Sequence, residues 1–288
     1  MTLIFAVSCW ARRLRASLAR KRPPSIALPS RAAAPASRCS LLLGGLLATL
    51  LVAVPPAGAA GTDVRALVER AIELTRSSGS IAELTMTVHR PDWERSSSLK
   101  AWTRGREDAL IRFTAPAKDA GNATLKRGRD MWTFAPRVNR VIRLPASLMS
   151  QSWAGSDFSY NDLARSDELL VHYELRLVSE AREAGQLVHV IDALPRADAP
   201  VVWGRQRMRL RADGVMLEVT YFDQDQQPVK RMQAMQVAAL GGRTFATRMR
   251  MTDLGELEHY TEVAYVAARF DMTLTDEQFT QFALRNTR

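Results

Sequence analysis

Past residue 80 the chain repeatedly alternates apolar and polar side chains with a period of two. Ala82, Leu84, Met86 and Val88 alternate with Glu83, Thr85 and Thr87. Leu169, Val171, Tyr173, Leu175 and Leu177 alternate with Leu170, His172, Glu174 and Arg176. Val215, Leu217, Val219 and Tyr221 make a third row, and in 203–211 the arginines at 205, 207, 209 and 211 share one face while Met208 and Leu210 share the other. Successive side chains of a strand point to opposite faces, so each row predicts a half-buried strand. Turns such as Ala212-Asp213-Gly214 and Asp223-Gln224-Asp225 separate the rows, which predicts an antiparallel meander of about ten strands. No βαβ alternation is present, which argues against a parallel sheet.

Helical spacing brackets this region. In Val64 to Ser77 the residues Val64, Leu67, Val68, Ala71, Ile72 and Thr75 form one apolar face, with Thr62 or Asp63 as N-cap and Gly79 as the stop. Near the end, Thr275-Asp276-Glu277-Gln278 fits a capping box, followed by Phe279, Phe282 and Ala283. The expected fold is mainly β, of α+β type: a large, strongly curved antiparallel sheet with helices against its concave side.

Charge first suggests a nucleic-acid or anionic-membrane partner, since the formal net charge is +10. Its location removes that reading. Residues 1–60 hold eight of the forty basic residues and no acidic ones, leaving 32 basic against 30 acidic residues over 61–288. The basic stretch precedes the apolar run Leu41–Val54 and then Ala57-Gly58-Ala59, a small-x-small cleavage pattern. The run is shorter than the roughly 20 residues of a membrane span. Residues 1–60 therefore read as a secretory leader of Sec type, 61–288 as a single domain, and the periplasm as the destination. Arg12-Arg13 lies too far from the run for a twin-arginine signal, and Cys39 precedes it, where a lipobox cysteine would follow. With Cys9 also in the leader, the domain has no thiol chemistry and no disulfide.

The residues offer little for catalysis. His89, His172, His189 and His259 are scattered, and none has a partner at metal-ligand spacing. There is no phosphate-binding glycine loop and no GxSxG elbow, so neither a cofactor nor a nucleic acid is expected. One packet, Ser152-Trp153-Ala154-Gly155-Ser156-Asp157-Phe158-Ser159-Tyr160-Asn161-Asp162-Leu163, invites a nucleophile reading at Ser156 or Asp157, but no histidine lies nearby in sequence. The other reading is structural: Asp157 or Ser159 caps a short helix, and Trp153, Phe158 and Tyr160 plug it against the sheet. Methionine and tryptophan supply a second signal. Met208, Met216, Met232, Met235, Met249 and Met251 fall in the later strands, and methionine suits a wall that must accept variable apolar shapes. Met216, Met235 and Met249, together with Trp102, Trp132, Trp153, Phe158 and Tyr160, are the cavity candidates; ordinary core filling is the alternative.

Taken together, Arg112-Phe113-x-x-Pro116, Gly121-Asn122 leading to Trp132, Pro136 with Arg137, Arg140 and Arg143, and Gly155-Ser156-Asp157-Phe158-Ser159-Tyr160-x-Asp162-Leu163 resemble the outer membrane lipoprotein-sorting family, relatives of the LolA and LolB carriers. Trp153-Ala154 stands where the family pattern has a Phe-Met-like pair. The resemblance implies an incomplete barrel with helices over a hydrophobic cavity. It also implies a monomeric, non-enzymatic carrier of lipid or lipoprotein acyl chains, working between an inner-membrane transporter and an outer-membrane acceptor. The strand arginine with which such carriers hold their helices closed has no matching motif here. A sensor of envelope stress on the same fold, or a periplasmic hydrolase, are the rival readings.

Overall fold

The computed structural model describes residues 62–164 and 168–286; the leader expected over 1–60 lies outside them. The first helix, α1 (Val64–Arg76), forms as its spacing predicts, with Asp63 accepting the Ala66 N–H at 3.0 Å and Leu67, Val68 and Ala71 buried. It ends at Arg76, three residues before Gly79, where the C-cap Ser77 with a φ of 59° breaks the helix. Gly79 instead begins the first strand, where a Cβ would meet the Met272 carbonyl oxygen at 2.2 Å. Its small size serves a close backbone approach.

Thirteen strands follow in one antiparallel sheet, somewhat more than the ten or so expected. They are β1 (Gly79–Arg90), β2 (Trp93–Arg104), β3 (Asp108–Ala115), β4 (Ala123–Arg127), β5 (Asp130–Ala135), β6 (Arg140–Arg143), β7 (Tyr173–Glu183), β8 (Gln186–Pro195), β9 (Arg205–Arg211), β10 (Met216–Phe222), β11 (Pro228–Leu240), β12 (Arg243–Asp253) and β13 (Tyr260–Phe270). The spatial order runs β6-β5-β4-β3-β2-β1-β13-β12-β11-β10-β9-β8-β7. Two hairpin meanders thus meet where β1 pairs with β13, and the sheet is not closed into a barrel. The segment from β6 to β7 must travel from one edge to the other, and it carries α2 (Tyr160–Ala164) and α3 (Leu169–His172). Leu169 to His172 was expected as strand. Leu169 and Leu170 instead take a helical turn and bury themselves with α1.

Strand register defines two faces. Ile191, Met208, Val219, Met232, Met251, Thr261, Val88 and Arg95 are consecutive cross-strand partners, one row spanning eight strands from β8 to β2. We call this the front face. Bulges in β10 and β11 shift the alternation locally. α1 lies on the front face over β8–β10, packing Leu67, Val68 and Ala71 on Ile191, Met208, Leu210 and Val219. Fully burying each such aliphatic side chain contributes about 1.5–3 kcal/mol.

Behind the same strands the surface is polar. Asp192, Arg207, Thr220, Arg231, Thr252 and Tyr260 form a cross-strand row on the back, with Arg207 bound to Asp192 through two hydrogen bonds of 2.7 Å. This explains the arginine stripe of β9: it belongs to a charged face, while Met208 and Leu210 on the other side are fully buried.

The C-terminal segment departs from expectation. The helices were expected on one side of the sheet, yet α4 (Gln281–Arg285) packs Leu284, with Phe279 before it, onto Leu110, Leu125 and Phe134. In β3, Leu110 belongs to this cluster while Ile111 and Phe113 face the opposite one, so α4 covers the back of β3–β5. Thr275 makes no side-chain cap; Thr280 caps α4 by accepting the Ala283 N–H at 3.0 Å. Phe282, expected in the apolar stripe, is 75% exposed.

Candidate functional site

Small side chains on neighbouring strands leave room on the front face. In register, Phe270, Ser80, Thr103, Ala109, Lys126 and Met131 form one row. Ala268, Ala82, Ala101, Ile111 and Thr124 form the next. Alanine, serine and threonine at the crossing points of three strands cannot fill the layer between sheet and roof. A cavity of about 300 Å³ results, floored by Ser80, Ala82, Ala101, Thr103 and Ala109, with Leu84, Ile111, Tyr265 and Phe270 around it. Thr75 and Arg76 at the end of α1, and Asp162 and Leu163 of α2, close it from above.

The polar groups of its floor and rim are engaged with one another or with backbone. Ser80 and Thr103 hydroxyls hydrogen-bond one another at 2.7 Å, and the Lys126 ammonium donates to the Arg106 carbonyl at 2.6 Å. Burial pushes the Tyr265 hydroxyl above its ordinary range. Among the described residues no group of three or more His, Cys, Asp or Glu side chains could hold a metal ion.

The Ser152–Leu163 packet builds the roof's fixed side. Ala154 and Gly155 take positive φ of 52° and 69°, turning the chain. The Ser156 hydroxyl is buried, donating to the Trp153 carbonyl at 2.6 Å and accepting the Phe158 N–H at 3.2 Å. Ser159 is the helix cap: its N–H and hydroxyl donate to Asp162 Oδ2 at 2.7 and 2.8 Å, and it accepts the Asp162 N–H at 3.2 Å, a reciprocal capping box. Asp157 has a different task. Both its oxygens are held by Arg90 at 3.0 Å, Thr261 donates to Oδ2 at 2.6 Å, and Lys230 donates to its carbonyl at 2.9 Å. The packet is therefore pinned to β1, β13 and β11 together.

The candidate side chains divide by location. Trp153, Phe158 and Tyr160 pack on Met86, Val88, Leu99 and Phe113 beside the cavity, with Trp153 Nε1 donating to Thr124 Oγ1 at 3.0 Å; burial raises the Tyr160 hydroxyl's pKa. Met249 sits on the front face between Ala234 and Val263. Met216 packs into the cluster beneath α1, and Met235, at a bulge in β11, is 45% exposed. Trp102 and Trp132 lie on the back face, against Phe279 and Leu284. None of these eight lines the 300 Å³ cavity. Its floor comes from small residues that composition does not flag, and the one available signal was their recurrence at alternate positions, Ser80 and Ala82 or Ala101 and Thr103.

Comparison with known proteins adds family and fold. A family model described as an uncharacterized protein matches residues 105–286, more than half of the chain. The chain belongs to that family. Its fold is LolA-like, the fold of the outer membrane lipoprotein-sorting proteins. A DUF1329 family protein from Desulfovibrio piger is similar over 76% of this chain and 97% of its own, with 26% identity and a TM-score of 0.69. A putative outer membrane lipoprotein-sorting protein domain from Vibrio parahaemolyticus matches over 77% and 98%, with 20% identity and a TM-score of 0.68. A LolA superfamily protein from Nitrosomonas europaea matches over 76% and 98%, with 20% identity and a TM-score of 0.64. No curated protein matches the chain. Among the described residues of this LolA-like chain, no helix is long and apolar enough to cross a membrane.

Proposed function

We propose that the protein is a periplasmic carrier whose front-face cavity takes an acyl chain of a lipid or lipoprotein, without covalent chemistry. The observation that carries this reading is the roofed cavity at the centre of a LolA-like sheet, floored by alanines with the mutually bonded Ser80 and Thr103 among them and bounded by helices on two sides. Each buried CH₂ contributes about 0.8 kcal/mol, so a chain of roughly 16 carbons represents about 12 kcal/mol that water would otherwise oppose. A volume of about 300 Å³ lies at the small end of ligand sites, so loading requires the roof to lift. In this reading residues 1–60 direct export, the mature domain acts as a monomer, and an inner-membrane transporter and an outer-membrane acceptor stand at the two ends of the route.

The test is native mass spectrometry of lipids retained on the purified protein, together with uptake of a fluorescent fatty acid. Ala101→Trp, placed on the cavity floor, is expected to abolish uptake while the protein still melts cooperatively. A protein that retains no lipid and takes up no fatty acid would overturn the carrier reading. So would ester hydrolysis that Ser156→Ala abolishes in a folded protein; the buried, engaged hydroxyl of Ser156 speaks against it.

A further inference from the structure

We propose that the cargo bears a phosphate, and that its anionic head occupies a second, arginine-lined pocket that opens beside the acyl cavity. The inference rests on the acyl-chain reading above and names the cargo class that reading leaves open. The second pocket, of about 490 Å³, lies between the C-terminal end of α1 and the β2–β3 turn. Arg76 lines both this pocket and the acyl cavity, so one side chain marks the passage between them. An amphiphile lying through that passage would place its chain over the alanine floor and its head among the arginines.

Charge distinguishes this pocket from the cleft next to Lys126. Around the second pocket Arg70, Arg76, Arg106 and Arg243 face only Glu73 and Asp271. The cleft on the opposite side, which shares Lys126 with the cavity, sets Lys126, Arg129 and Arg143 against Glu107, Asp130 and Glu168. Only the first is cationic. A helix C-terminus ordinarily repels an anion, but Arg243 already satisfies the Glu73 and Leu74 carbonyls at 3.1 and 3.4 Å and binds Asp271. That ordering leaves Arg106 as the candidate donor: its guanidinium makes a long 3.8 Å contact with an exposed Glu73. Gly105 beside it has open space where a side chain would be. A guanidinium fork matches phosphate oxygens in geometry as well as charge.

The experiment compares binding of 1-palmitoyl-lysophosphatidate, 1-monopalmitoylglycerol and inorganic phosphate to the purified protein, and repeats the first with R106Q. Lysophosphatidate is expected to bind about tenfold more tightly than the neutral glyceride, the usual worth of one charge-assisted hydrogen bond. R106Q should lower its affinity to the glyceride's level without shifting the melting temperature. Equal binding of the two amphiphiles, or an R106Q protein that binds lysophosphatidate undiminished, overturns the headgroup site while the acyl reading stands. Binding of inorganic phosphate as tight as that of lysophosphatidate also overturns it, because the chain then contributes nothing. Failure of both amphiphiles to bind takes the acyl reading down with it.

Discussion

The two parts of the roof are held in different ways. α1 rests on the sheet through an apolar stripe, supplemented by arginine-to-carbonyl hydrogen bonds along its length: Arg65 and Arg70 donate to the Leu170 and Ala212 carbonyls at 3.1 Å, and Arg243 clasps the C-terminal end. The packet around α2 is instead bolted to three strands through Asp157, whose side chain is 9% exposed and whose partner Arg90 is 16% exposed. Apolar packing has no directional preference and lets a helix slide or tilt. A partly buried bidentate ion pair holds one geometry or none. The contrast assigns motion to α1 and rigidity to the packet, and it is open to attack from both sides.

The largest effect is expected at the rigid side. Asp157→Ala leaves Arg90 partly buried without its carboxylate, and should lower stability by about 3 kcal/mol, read by urea denaturation. A loss under about 1 kcal/mol would mean that the packet is not clamped in this way. On the mobile side, Leu67→Ala should cost about 2–3 kcal/mol, and hydrogen exchange should rise in α1 well before it rises in 153–163. Equal protection of the two segments would dissolve the distinction. Arg243→Ala should cost about 1 kcal/mol and speed fatty-acid uptake, since it frees only the end of α1 nearest the cavity. The smallest effect is one of pH. Hydrogen bonds from Ser77 and Arg243 hold the Asp271 carboxyl below its ordinary value of 3.8. A depressed carboxylate contributes above its unfolded pKa and loses that contribution as pH falls through its folded one. The α1 clasp should therefore weaken only below pH 3.8, seen as faster exchange at Arg76 and Ser77.

What was readable from the chain follows the range of the forces involved. In β10 a bulge puts Met216 rather than Leu217 beside Val219 in the core, but strand faces were legible at β1 and β9 because a residue's side is set by its immediate neighbours. The α1 stripe was legible for the same reason. Sheet order was not: nothing local says that β1 pairs with β13. The face covered by α4 depends on that order, so Trp102 and Trp132, plausible cavity walls by composition, came to lie on the back. Leu169 and Leu170 carry a period compatible with a strand until α1 arrives to bury both. In the packet, the capping motif is local and narrowed the cap to Asp157 or Ser159, of which Ser159 is the cap; the Asp157–Arg90 pair spans 67 residues and left no mark. The cavity itself is an absence of volume, and alanines announce it poorly.

The β1–β13 seam has a consequence for how the molecule is made. The final strand is the central one, flanked by β1 and β12. Pairings between such distant segments are entropically expensive to close and slow to form. Until Phe270 is in place, the chain holds two separate meanders, each with an open edge where the middle should be. A truncation that reaches back past α4 into β13 therefore removes the keystone of the sheet rather than its fringe.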